Sequence, residues 1–134
     1  MKPLKIDHLG IAVPRLDEAI AAYEALGFRV EARHDVPSEQ VRTAFLPLGE
    51  SQLELLEPSG PDSVIARFLE KRSGLHHVCV LVDDLEAALA AMKARGVRLI
   101  DEQPRPGAGG CRVAFVHPGA AGGVLLELKE RARP

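Results

Sequence analysis

The 24 residues DHLGIAVPRLDEAIAAYEALGFRV, beginning at Asp7, return as HHVCVLVDDLEAALAAMKARGVRL, beginning at His76. His8 falls on His77, Leu16 on Leu85, Ile20 on Leu89, Tyr23 on Met92 and Gly27 on Gly96, all 69 positions apart and without a gap. A duplication of this length constrains the fold strongly. Each copy is one supersecondary unit too small to bury its own apolar face, so two like halves must share the work.

The pattern inside each copy predicts strand, helix, strand. Apolar residues recur at i, i+4 and i+7 (Leu16, Ile20, Tyr23; then Leu85, Leu89, Met92), the spacing of one helix face. Asp83 with Glu86 three residues on reads as a capping box with Asp83 as N-cap. Gly27 and Gly96 stand where a helix ends in a left-handed residue, and strands are expected to begin at Phe28 and Val97. Downstream, VRTAFLPLG matches CRVAFVHPG with a separation of 70, and each copy closes with one more strand, SQLELLEP and GVLLELKE. The longer glycine loops of the second copy, PGAGG and PGAAGG, explain the drift in register.

The expected fold is therefore α+β: two tandem βαβββ modules related by a pseudo-twofold, forming a curved mixed sheet in one domain of residues 1–134. Module 1 runs over about 4–58 and module 2 over about 75–130. A linker helix is expected over about 61–73, with Val64, Phe68 and Leu69 inward and Gly74 ending it.

The closing strands each carry a carboxylate among leucines. Gln52, Glu54 and Leu56 project to one face and Leu53 and Leu55 to the other; Leu125, Glu127 and Lys129 alternate likewise with Val124, Leu126 and Leu128. Each half thus offers one His at the start of its first strand and one Glu in its last: His8 with Glu54, His77 with Glu127. Pseudo-twofold packing would bring all four to one cavity, an N/O set suited to a divalent ion such as Co, Mn, Ni, Zn or Fe(II), with positions left for substrate. Two buried His–Glu salt bridges without a metal would also satisfy these residues. His76 and His77 face opposite ways on a strand, and the repeat selects His77.

Other classes are disfavoured. The formal charge of −2, from 17 Lys and Arg against 19 Asp and Glu, gives no basic surface for nucleic acid or an anionic membrane. Aromatics are only 4%, too few for stacking platforms. No apolar run approaches a membrane span, and MKPLKIDHLG has no secretory core. Two cysteines, Cys79 and Cys111, form neither a disulfide framework nor a metal motif, so a cytoplasmic protein with reduced, buried thiols is expected. Arg112 and His117 are candidates to hold an anionic part of a substrate, although Arg42, the repeat mate of Arg112, favours a structural role for both.

With these repeats and residues in hand, the chain resembles the vicinal oxygen chelate superfamily from about Lys5 to Lys129. Within it the chain is similar to the methylmalonyl-CoA epimerase family, on DHLGIAVPRLDEAIAAYEALGF, ELLEP followed by PDSVIARFLEK, GLHHVCVLVDDLEAAL and GGCRVAFVHPGAAGGVLLEL. The resemblance implies a divalent metal held by His8, Glu54, His77 and Glu127, an acyl-CoA substrate, a homodimer, and interconversion of (R)- and (S)-methylmalonyl-CoA by proton transfer at C2. It makes Glu127 the first candidate base, with Glu54 in the mirror position. Some epimerases carry a second carboxylate where this chain has Thr43; Glu39, just upstream, is the alternative. Two rivals are a glyoxalase I-type lyase, which uses the same ligands, and a non-enzymatic binder of small molecules such as antibiotics.

Overall fold

Two short helix faces organise the molecule. Leu16 and Ile20 lie four residues apart on α1 (Leu16–Ala25), and Leu85 and Leu89 lie likewise on α3 (Leu85–Ala94), so each helix presents one apolar stripe. The computed structural model describes residues 2–107 and 110–131. The chain is α+β and divides into two compact units: His8–His76, and Met1–Asp7 together with His77–Pro134.

The strands β1 (Pro3–Ala12, of which His8 onward lies in the unit His8–His76), β2 (Ala32–Val36), β3 (Val41–Leu48) and β4 (Ser51–Pro58) are ordered β2-β3-β4-β1. β1 pairs parallel with β4, and β3 is antiparallel to both β2 and β4. α1 covers one face, where Leu16 and Ile20 pack with Ala44, Leu46, Leu53 and Leu55. The opposite face is closed at one end by α2 (Val64–Leu69), whose Ile65 packs with Ala12, Val41 and Leu56.

The other unit repeats the plan. β5 (Gly74–Val82), β6 (Arg105–Pro106), β7 (Arg112–Val116) and β8 (Leu126–Glu130) are ordered β5-β8-β7-β6. β5 pairs parallel with β8, and β7 is antiparallel to both β8 and β6. Leu85 and Leu89 pack with Ala114, Val116, Leu128 and Val82. The first five of these are repeat mates of Leu16, Ile20, Ala44, Leu46 and Leu55, so the duplication extends to the packing of the cores. Leu85 and Leu55 are fully buried, and truncating either to Ala removes roughly 2–5 kcal/mol.

Several local expectations need correction. The N-cap of α3 is Asp84, whose carboxylate accepts from the Ala87 amide at 3.0 Å. Asp83 instead accepts from the Lys2 amide at 2.7 Å, an interaction that sequence periodicity cannot show. The strands after the helices begin later than Phe28 and Val97, at Ala32 and Arg105; the intervening residues make single contacts, such as the Leu99 bridge to Val116. The linker helix is confined to Val64–Leu69, with Val64 55% exposed and Ile65 buried in its place. Ser63 caps it by accepting from the Ile65 amide at 3.1 Å. Gly74 begins β5 rather than ending the helix, with φ 108°. Gly27 and Gly96 do follow the ends of α1 and α3, with φ 98° and 74°, the region glycine enters without a Cβ penalty.

Candidate functional site

Strand register determines which side chains meet. On β1, His8 and Gly10 share a face, and Gly10 lies opposite Glu54 of β4. On β5, His77 and Cys79 share a face, and Cys79 lies opposite Glu127 of β8. The offset from histidine to the carboxylate partner is therefore the same in each unit. His8 Nε2 lies 3.9 Å from Glu54 Oε1, and His77 Nε2 lies 3.4 Å from Glu127 Oε1. All four side chains are at most 14% exposed.

These separations exceed the ~2.7–2.9 Å of a tight charge-assisted hydrogen bond. They approach the ~3 Å between neighbouring donors that each stand about 2.1 Å from one ion. The donor types are those a divalent cation takes, and the separations are also within ion-pair reach. His8, His77 and Glu127 each offer a ligand atom that a metal ion could take.

A phenylalanine stands beside each carboxylate. Phe45 on β3 lies opposite Glu54, and Phe115 on β7 lies opposite Glu127. The Phe115 ring meets His77 edge to face at 6.3 Å, and the Phe45 ring meets His34 at 5.5 Å. Both phenylalanines stand in the matched stretches quoted above. The alternation of β3 and β7 puts them on the histidine face, a signal masked in sequence because aromatics in strands read as ordinary core.

The structure brings His8 to Glu54 and His77 to Glu127. Glu39 is solvent exposed on the 3-10 turn Pro37–Glu39. Thr43 is buried on the Glu54 side of β3. His76 meets Phe68 of α2 edge to face at 5.0 Å. Cys79 is fully buried, whereas Cys111 is only partly so; neither is in a disulfide.

Arg112 and His117, the candidates for an anionic part of a substrate, both sit in local hydrogen-bond networks. Arg112 grips the buried Glu130 through Nε at 2.6 Å and NH2 at 3.1 Å, and reaches Glu86 through NH1. The hydrogen bonds it donates to Glu130 and then to Glu86 push the Arg112 pKa still higher, so the guanidinium stays charged. Arg42 makes the matching pair with Glu57 at 3.0 Å, and Glu57 also accepts from the Leu16 amide at the start of α1. His117 accepts from the Gly119 amide and caps the turn Pro118–Ala120.

Lys129, two residues beyond Glu127 on the same face, is paired with Asp7 at 3.3 Å. Burial pulls the Lys129 ammonium down, but the Asp7 carboxylate outweighs it and the net displacement is upward.

Residues 7–115 match the Glyoxalase/Bleomycin resistance protein/Dioxygenase superfamily. The chain is 41% identical to the mitochondrial methylmalonyl-CoA epimerase of Homo sapiens over 129 residues, covering 94% of this chain and 73% of that protein. It is also 41% identical to an ethylmalonyl-CoA/methylmalonyl-CoA epimerase of Cereibacter sphaeroides, covering 94% and 97%. A solved methylmalonyl-CoA epimerase of Streptomyces coelicolor, in complex with 2-nitronate-propionyl-CoA, superposes with a TM-score of 0.89 at 36% identity, covering 98% of this chain and 96% of that one. The described residues contain no helix long and apolar enough to cross a membrane. With the histidine–carboxylate register doubled and relatives this similar over nearly its whole length, the chain belongs to the glyoxalase/bleomycin resistance/dioxygenase superfamily and, within it, to the methylmalonyl-CoA epimerase family.

Proposed function

We propose that this chain interconverts (R)- and (S)-methylmalonyl-CoA, with His8, Glu54, His77 and Glu127 holding one divalent cation. The observation that carries this reading is the identical register of His8 with Glu54 and of His77 with Glu127. The sequence similarity to epimerases over nearly the whole chain supports the substrate. When bound, the cation supplies Lewis-acid stabilisation where negative charge develops on the thioester oxygen.

The chain's own residues move the proton. Glu127 accepts the C2 proton, and the C–H electron pair passes to the thioester oxygen. Glu54, protonated, then donates to the opposite face of C2, the electron pair returns, and the stereocentre is inverted. Each carboxylate ends in the state from which the reverse reaction starts. Glu54 takes the second role over Glu39 because its carboxylate is largely buried beside His8, whereas Glu39 is exposed on its turn. Phe45 and Phe115 place apolar rings beside the carboxylates and help keep bulk water from competing for the proton.

The assembly we propose is a homodimer in the cytoplasm, a reading that the two cysteines, neither in a disulfide, and the edge strands β2 and β6 support. The test is isotope exchange. Protein loaded with Co, Mn, Ni or Zn is expected to wash solvent deuterium into C2 of methylmalonyl-CoA and to stop on addition of EDTA. Absence of exchange at full metal occupancy would reject the reading, and turnover of a glutathione thiohemiacetal instead would favour a glyoxalase-type lyase.

A further inference from the structure

Arg105 is an arginine of the second unit that meets a carboxylate through Nε alone. It lies on the edge strand β6, opposite Val113 of β7, and Val113 in turn lies opposite Lys129 of β8. Arg105, Val113 and Lys129 therefore form one row on one face, next to the row Phe115, Glu127 and Cys79. The Arg105 guanidinium stacks over the Phe115 ring at 5.1 Å, and the same ring touches His77 on another side. Asp101 holds it in place, paired with Arg105 Nε at 3.5 Å and accepting from the Phe115 amide at 2.9 Å.

This is a built position. The ring face and Nε fix the plane of the guanidinium, while the side chain remains 52% exposed. Among the described residues, no carboxylate engages its two terminal nitrogens. Arg112, by contrast, spends all three of its nitrogens on Glu130 and Glu86. A planar fork held at its stem and open at its tip suits bidentate capture of a phosphate.

Distance selects which anion. In the order β5-β8-β7-β6, Arg105 stands three strands from the strand of His77, and the Phe115 ring separates its guanidinium from the His77 ring. An acyl carboxylate beside His77 and Glu127 falls short of that edge. The pantetheine arm of a CoA thioester has the reach of about four extended residues, ~14 Å, and ends in phosphates. We infer that Arg105 binds the phosphates of the CoA moiety. This inference rests on the acyl-CoA reading above.

The test compares Arg105→Met and Arg105→Lys with wild type on methylmalonyl-CoA and on methylmalonyl-pantetheine, which lacks the nucleotide phosphates. Arg105→Met is expected to raise KM for the CoA ester roughly tenfold, leave kcat within about twofold, and leave KM for the pantetheine ester unchanged; Arg105→Lys should recover part of the loss. An unchanged KM for the CoA ester would overturn the inference. So would an equal rise for both esters, which would move the contact to the acyl carboxylate. Calorimetric binding of free CoA needs no turnover and separates the two levels. It is expected to weaken about tenfold in Arg105→Met, and equal binding by both proteins would overturn the inference even if wild type failed to turn over methylmalonyl-CoA.

Discussion

The two units place the same histidine and carboxylate in the same register, yet they finish the surrounding face differently. In His8–His76, the positions beyond Glu54 are apolar, and Leu56, Val41 and Ala12 are covered by Ile65 of α2. In the second unit their repeat mates are Lys129, Cys111 and Leu81. No helix follows β8 among the described residues, and Lys129 is paired with Asp7 from the chain's first segment. One unit closes its face with a helix, whereas the other closes it with an ion pair. The edges differ too: His34 stands against Phe45 in the first unit, and Arg105 against Phe115 in the second. What the duplication repeats is the histidine–carboxylate pair and the packing beneath it. What it lets diverge is the surface that meets the rest of a substrate.

The largest expected effects fall on the conserved part. Glu127→Gln and Glu54→Gln should each lower the rate of C2 exchange by about 10²–10⁴-fold, while Glu39→Gln stays within about threefold of wild type. A large loss in Glu39→Gln with little in Glu54→Gln would break the equivalence of the two halves and move the second base to the turn.

His77→Ala should lower metal affinity by more than about 100-fold in a calorimetric titration, and His76→Ala should change it little, because His76 packs on Phe68. The reverse result would place the wrong histidine in the site.

Core truncation sharpens the comparison at a smaller scale. Leu55→Ala and its mate Leu128→Ala should each cost about 2–5 kcal/mol in denaturant unfolding, since the two cores are built from repeat mates. Values differing well beyond that range would mean that the units share a sequence plan without sharing its energetics.

The smallest effect belongs to Asp83. Its carboxyl is held below the ordinary carboxylate range, chiefly by the Lys2 amide. A depressed pKa contributes stability that is present above the unfolded value and is lost as pH falls through the folded value. Asp83→Asn should therefore lower Tm slightly near neutrality, with the difference vanishing at low pH. A difference that grew on acidification would contradict the assignment.

Much of this plan was legible in the residues because duplication converts periodicity into register. Once His8 aligned with His77 and Glu54 with Glu127, strand alternation alone put each pair on one face. What escaped had no periodic signature. Asp84 rather than Asp83 caps α3 because Asp83 is drawn to Lys2, some eighty residues away in sequence. β6 has two residues, too few for alternation to reveal, so Arg105 could not be placed on the face of Phe115. The matching pairs of Arg42 with Glu57 and Arg112 with Glu130 follow the same repeat, but their purpose appears only when the carboxylates are seen. Glu57 caps the amide at the start of α1, and Arg112 ties the buried Glu130 to Glu86 of α3.

The most direct measurement is the stoichiometry of metal binding by calorimetry, on the wild-type chain and on His8→Ala and His77→Ala. One divalent ion per chain is expected, with its tight binding lost in either variant, as the proposed function requires. Two ions per chain, or full-affinity binding that survives the loss of one histidine, would show that each histidine–carboxylate pair acts alone.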